Sequence, residues 1–321
     1  LTADKNTKQN YKCIFVAQII FMTKIKAWIS AARLRTLPLS VSGILVGSAA
    51  AVEANAFKLP VFILALLTTL GFQILSNFAN DYGDGVKGTD NADRIGPARA
   101  MQSGLLTAKE LKRGMIVTTI FTLLIASMLI FAAFGNENFI LSLIFFNLGI
   151  AAIIAAITYT VGKKAYGYRA LGDVFVFVFF GIIGVVGCYF LFTLYFSDLV
   201  ILLGVTIGLL STAVLNLNNM RDRISDAAVN KNTLAVIMGE KVSKLYHALL
   251  IGIGFICALL YLILKSDDWT GFLPLLAFIP LFVNILKVFR NKAPALLDPE
   301  LKKVALSTFL FAALFFATQF F

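Results

Sequence analysis

Two stretches of this chain gather oxygen donors in patterns suited to metal and phosphate chemistry. The first, NFANDYGDGVKGTDNADRIGPARAMQSG, runs from Asn77 to Gly104, and the second, NLNNMRDRISDAAVNKNTLAVIMG, from Asn216 to Gly239. If the helix entering the first stretch continues through Asp81, Asn77, Asp81 and Asp84 share one face, and Asn218, Asp222 and Asp226 share another near the end of the helix entering the second. Like charges one turn apart repel, and carboxylates beside hydrocarbon are costly, so each face calls for a cation. Mg²⁺ answers that need, since it takes one or two carboxylates per ion and fills its remaining positions with phosphate oxygens and water. The ligand implied is a diphosphate. Lys87, Arg94, Arg99, Arg221, Arg223 and Lys231 lie in the same stretches and could neutralise its remaining charge. The plainer reading makes these cations solvated flanking charges and the acidic faces solvated helix ends.

The elements that must position these residues are membrane helices. Hydrophobic residues make up 59% of the 321 and charged residues 14%, with a mean hydropathy of +0.87, beyond what a soluble domain could bury. Uninterrupted apolar runs predict nine spans, near 37–57, 59–80, 114–134, 139–160, 171–196, 199–219, 246–264, 271–288 and 304–321. With this count, 26 of the 28 Lys and Arg fall on one side, and only Lys58 and Lys265 on the other. The basic side is expected to be cytoplasmic, with the N-terminus inside and the C-terminus outside. Both acidic stretches then emerge on the cytoplasmic side, four helices apart, as a parallel internal repeat would place them. Orientation also accounts for the net charge of +11, and no compact basic and aromatic module points to nucleic acid. Of the three cysteines, Cys188 and Cys257 sit in apolar runs, with no disulfide or metal spacing.

The apolar run from Cys13 to Met22 is too short to span. Residues 1–26 are read as an N-terminal extension, with Met22 the natural start and residues 1–21 upstream or added sequence.

NFANDYGDGVKGTD followed by DRIGPARAMQSG resembles the first aspartate-rich motif of 1,4-dihydroxy-2-naphthoate polyprenyltransferases, in the UbiA superfamily of membrane prenyltransferases. The likeness extends to AARLRTLPLS (31–40), YTVGKKAYGYRALGD (159–173) and NNMRDRISDAAVNKNTLAVIMG (218–239), leaving the last two helices uncovered. The resemblance implies an all-α fold of nine transmembrane helices around a central cavity, with residues 27–321 forming a single prenyltransferase domain. It also implies an enzyme of the bacterial cell (inner) membrane whose site faces the cytoplasm. The reaction implied is transfer of a polyprenyl group from polyprenyl diphosphate to 1,4-dihydroxy-2-naphthoate, at the carboxyl-bearing carbon, with loss of CO₂ and diphosphate, giving demethylmenaquinone. By the same resemblance Asn77, Asp81, Asp84, Asn218, Asp222 and Asp226 map onto Mg²⁺ and diphosphate positions, and Lys87, Arg94 and Arg99 help bind the diphosphate.

Tyr159 and Lys163 have a spacing that sets both on one helical face. They resemble the superfamily's tyrosine and lysine near the reacting centre. Tyr159 would shield an allylic cation with its ring face, and Lys163 would bind diphosphate or acceptor; the alternative is an interfacial tyrosine and a snorkelling lysine. Asp173 is either catalytic or a helix N-terminal charge. Arg35, beside Arg33, is a candidate for the acceptor carboxylate, because its planar fork suits bidentate pairing. Closure around Gly83, Gly85 and Gly88 would exclude water. Gly43, Gly47, Gly181, Gly184 and Gly187 would allow close helix contacts. His247 has no partner His or Cys and is not expected to act in catalysis. The competing functions are a related aromatic prenyltransferase acting on 4-hydroxybenzoate and, from a different class, a cation-coupled transporter.

Overall fold

A computed structural model describes residues 23–89, 95–96, 99–266 and 268–320, without the side chain of Arg35. The reading of residues 1–21 lies outside the described residues. Ten helices follow one another: α1 (Thr23–Ala32), α2 (Leu37–Glu53), α3 (Leu59–Lys87), α4 (Ala108–Phe134), α5 (Phe139–Thr158), α6 (Gly172–Thr193), α7 (Asp198–Ala228), α8 (Leu234–Lys265), α9 (Trp269–Arg290) and α10 (Pro294–Phe320). Among the described residues, helices α3 to α10 are each long and apolar enough to cross a membrane, and α1 with α2, bent by 48°, passes the same test only as a pair, which gives eight candidate passes, or nine if the pair is one span. The chain is a multi-pass, all-α membrane protein, as the hydropathy reading expects.

The helices outrun the predicted spans at their polar ends. α3 continues to Lys87 and α7 to Ala228, so Asn77, Asp81 and Asp84, and likewise Asn218, Asp222 and Asp226, are on helix and keep to one face each. α4 begins at Ala108 rather than 114 because Thr107 and Glu110 form a capping box: the Glu110 N–H donates to Thr107 Oγ1 at 3.2 Å, and the Thr107 N–H to Glu110 Oε2 at 2.8 Å. α8 starts at Leu234, capped by Thr233, and breaks at Gly239, whose φ of 71° few other residues adopt. A hydropathy window finds only the part of a helix that crosses hydrocarbon, so these extensions escape it.

Three passes are drawn together by glycine. A Cβ on Gly43 or Gly47 of α2 would lie 2.8 and 2.5 Å from the Phe180 and Val185 carbonyl oxygens of α6, and one on Gly181 would lie 2.4 Å from the Gly204 carbonyl of α7. A Cβ on Gly184 would lie 3.8 Å from Gly43 Cα of α2, whereas one on Gly187 would meet only Ile183 of its own helix, at 3.6 Å. α6 is π-helical over Phe177–Gly187, a widened turn common near functional sites. Elsewhere, buried His247 on α8 meets Asn284 Oδ1 of α9 at 2.8 Å, and Asn284 Nδ2 donates to Glu300 Oε2 of α10 at 2.9 Å. The histidine is therefore a partnered interhelical residue.

Candidate active site

The first acidic stretch is held by its own oxygens. Asn77, Asp81 and Asp84 are 3%, 1% and 3% exposed, which in a helix end demands partners. Asn77 Nδ2 donates to the Ala32 carbonyl at 2.8 Å, fastening α3 to the end of α1. Asp81 accepts the backbone N–H groups of Ala100 and Met101 at 3.1 and 3.2 Å, which folds the connector back over α3. Asp84 accepts the Tyr168 hydroxyl at 2.8 Å and lies 3.5 Å from Arg99. Gly83 and Gly85 admit close neighbours here. A Cβ on Gly83 would lie 2.6 Å from Thr160 Oγ1, and one on Gly85 2.6 Å from Met101 Sδ. Gly88, at φ 72°, ends α3 as a left-handed cap.

The second stretch is organised by cations. Arg221 makes two bonds to Asp222, at 2.8 and 2.7 Å, donates to Asn218 Oδ1 at 2.8 Å, and also pairs with Asp298 on α10. Lys231 lies 3.5 Å from Asp226. Burial alone would push the Lys231 ammonium below its ordinary pKa; the charges of Asp84, Asp226 and Asp222 overcome that and raise it. One ammonium thus feels carboxylates from both stretches.

Tyr168 joins the two halves. Its ring lies under Lys87 Nζ at 4.0 Å and near Lys231 Nζ at 5.5 Å, while Thr89 meets its hydroxyl at 2.6 Å. An isolated bridge between Arg169 and Asn232 ties the same two connectors through the backbone.

Behind this polar cluster lies a cavity of about 1270 Å³, polar at one end and apolar along the rest. Arg33, Gln73, Asn77, Asn80, Asp81, Asp84, Arg99, Asn218, Arg221, Lys231 and Asp298 line its polar end. Tyr159 stands at the same end, edge-on to Tyr166 with ring centroids 5.2 Å apart. Burial, then the charges of Asp84, Asp173 and Asp226, push the Tyr159 phenol well above its ordinary pKa, so it stays neutral. Phe145, Phe175, Phe179, Phe180, Phe190 and Phe196 line the apolar part. Such a chamber accepts a molecule with an anionic head and a long apolar tail.

The family model for the UbiA prenyltransferase family matches residues 40–318. The chain belongs to that family. It is 44% identical over 294 residues to the 1,4-dihydroxy-2-naphthoate octaprenyltransferase of Haemophilus influenzae, covering 91% of this chain and 95% of that one. Its fold is similar to that of a UbiA homolog from Aeropyrum pernix (TM-score 0.68, 12% identity, 89% and 98% of the two chains). It is likewise similar to a UbiA homolog from Archaeoglobus fulgidus bound to GPP and Mg²⁺ (TM-score 0.62, 16% identity, 92% and 100%). Membership of a prenyltransferase family displaces the transporter reading.

Within this UbiA fold the sequence candidates separate. Asn77, Asp81, Asp84, Arg99, Asn218, Arg221 and Tyr159 border the cavity. Asp222 and Asp226 lie just behind it, turned onto Arg221 and Lys231. Lys163 does not share a helical face with Tyr159, because α5 ends at Thr158 and Gly162, at φ 93°, turns the chain away. Lys163 is instead exposed, beside Lys87, Tyr168 and Arg169 in a separate recess of about 430 Å³. Asp173 is buried away from the cavity, bonded to Tyr246 and to its own backbone N–H in the first turn of α6, which fits the helix-charge alternative. Arg94 and the Arg35 side chain lie outside the described residues. Sequence reasoning passed over Tyr168 and Asp298; the only signal for Asp298 was its place after the eighth span, on the same membrane side as the two acidic stretches.

Among the described residues no group of three or more His, Cys, Asp or Glu is gathered to hold a metal ion. The donor chemistry nevertheless suits Mg²⁺: every candidate is a hard oxygen, and the carboxylates already draw one buried ammonium between them.

Proposed function

We propose that this protein transfers a polyprenyl group from polyprenyl diphosphate to 1,4-dihydroxy-2-naphthoate. The observation that carries this reading is the continuity of two facing Asp/Asn helix ends with one long apolar chamber, in a chain 44% identical to an enzyme named for that acceptor. The donor's diphosphate would sit among Asp84, Arg99 and Lys231, with its tail along α5 and α6. Mg²⁺, held through Asn77, Asp81 and Asp84 on one side and Asn218, Asp222 and Asp226 on the other, would stabilise charge on the leaving diphosphate. Arg221 holds Asn218 and Asp222 in place for that purpose.

The allylic C–O bond breaks, and the electron pair leaves with the diphosphate. The neutral Tyr159 ring faces the developing cation. The electron-rich naphthoate ring supplies the pair for the new C–C bond at its carboxyl-bearing carbon. CO₂ then departs and returns its bonding pair to the ring, so no added proton or oxidant is needed. The product is the quinol form of demethylmenaquinone. Arg33 or Arg35, at the entrance of α2, would pair with the acceptor carboxylate. The excess of Lys and Arg at the polar face supports a cytoplasmic site in a bacterial inner membrane.

The test is detergent-solubilised protein given Mg²⁺, a polyprenyl diphosphate and either 1,4-dihydroxy-2-naphthoate or 4-hydroxybenzoate, with mass spectrometry of the lipid extract. Prenylated, decarboxylated product from the naphthoate alone, abolished by a chelator, is expected. Product from hydroxybenzoate would move the enzyme within its superfamily, and no diphosphate release with either acceptor would overturn the reading.

A further inference from the structure

The far end of the cavity is built from rings. Followed along α3, the lining runs from Asp84 to Ala65, nineteen residues and about 28 Å, nearly the thickness of a bilayer's hydrocarbon. There Phe145 of α5 and Phe190 of α6 stack with centroids 5.7 Å apart and planes 14° from parallel. Phe134 backs both rings, at 5.0 and 6.4 Å, and Phe196 closes on Phe190 at 4.6 Å. Phe134 and Phe190 are 3% and 6% exposed, so the cluster is packed from behind.

We propose that the Phe145–Phe190 stack is the floor of the tail chamber and sets which donor tail lengths the enzyme prefers. This rests on the prenyl-transfer reading above. α5 and α6 flank the cavity, and the stack joins them at the end opposite the acidic cluster. A tail whose diphosphate is held at Asp84 extends toward that end. A short tail stops before the rings. A long one meets a rigid, interlocked surface that yields less than a lone aliphatic side chain would, and must bend or leave between helices. Discrimination by a wall of this kind depends on tail length and leaves the reacting carbons untouched.

The experiment compares kcat/KM for geranyl diphosphate and octaprenyl diphosphate in the unaltered protein, Phe190→Ala, Phe190→Trp and Phe145→Leu. The long-to-short ratio is expected to rise about tenfold in Phe190→Ala and to fall about tenfold in Phe190→Trp, the scale on which apolar pockets discriminate. Phe145→Leu, which removes the stack and keeps apolar volume, should raise it in the same sense as the alanine variant. A loss of activity common to both donors cancels in this ratio, so the ratio reads tail length alone. An unchanged ratio in all three variants, or equal loss with both donors, would overturn the floor, because a ring that only supports the fold does not distinguish tails. Absence of transfer from either donor by the unaltered protein would remove the underlying reading and the floor with it, and the unaltered protein's own activity separates the two failures.

Discussion

The Tyr168 hydroxyl donates to Asp84 Oδ1 at 2.8 Å while its ring faces Lys87 and Lys231, so one tyrosine orients a carboxylate and two ammonium groups of the polar cluster. Tyr168→Phe keeps the ring and removes the bond. A hydrogen bond to a charged group contributes about 1.5–3 kcal/mol. The expected result is a fall of about tenfold or more in kcat/KM for the prenyl diphosphate, with a higher Mg²⁺ requirement and little change in Tm, read by steady-state kinetics over a Mg²⁺ series.

Asp81 and Asp84 should fail differently. Asp81 satisfies two backbone N–H groups, and losing a buried acceptor costs about 1–3 kcal/mol, so Asp81→Ala should lower the Tm in detergent as well as abolish activity. Asp84→Asn keeps an acceptor for Tyr168 and should lose diphosphate release with a nearly unchanged Tm. Equal Tm losses in the two variants would contradict this division.

The raised pKa of Tyr159 has a direct consequence. A phenol kept neutral by burial and by Asp84, Asp173 and Asp226 adds no basic limb to the rate profile below about pH 10, its unperturbed range. Tyr159→Phe should retain most activity with the same profile. Tyr159→Ala, which removes the ring face, should lose about 2 kcal/mol of cation stabilisation, near thirtyfold in kcat.

Arg221→Gln leaves Asp222 buried without its two bonds. Breaking a buried pair by removing one partner costs about 3–5 kcal/mol. The expected outcome is a large drop in Tm, partly recovered in the Arg221→Gln, Asp222→Asn double variant, which a thermal melt of both proteins checks.

Gly83→Ala would set a Cβ 2.6 Å from Thr160 Oγ1 and 2.8 Å from the Thr160 carbonyl carbon. Overpacking of this kind costs about 1–3 kcal/mol. It should lower Tm and also reduce activity, because the neighbouring Asp84 moves with the helix end.

The sequence by itself determined the membrane class and the two acidic faces, because hydropathy and the 3.6-residue repeat are local properties. Asn77, Asp81 and Asp84 were legible as one face for that reason. The motif YTVGKKAYGYRALGD was legible as a likeness, yet the pairing of Tyr159 with Lys163 was not, since a turn at Gly162 breaks the helical register that the spacing assumes. Asp173 opens a helix as the sequence suggests, and only its packing against Tyr246 turns it from the cavity. Asp298 reaches Arg221 across 77 residues, and Phe145 reaches Phe190 on the following pass. Contacts of that range depend on how helices cross and which faces they bury, and those are decided only when the whole bundle closes around its cavity.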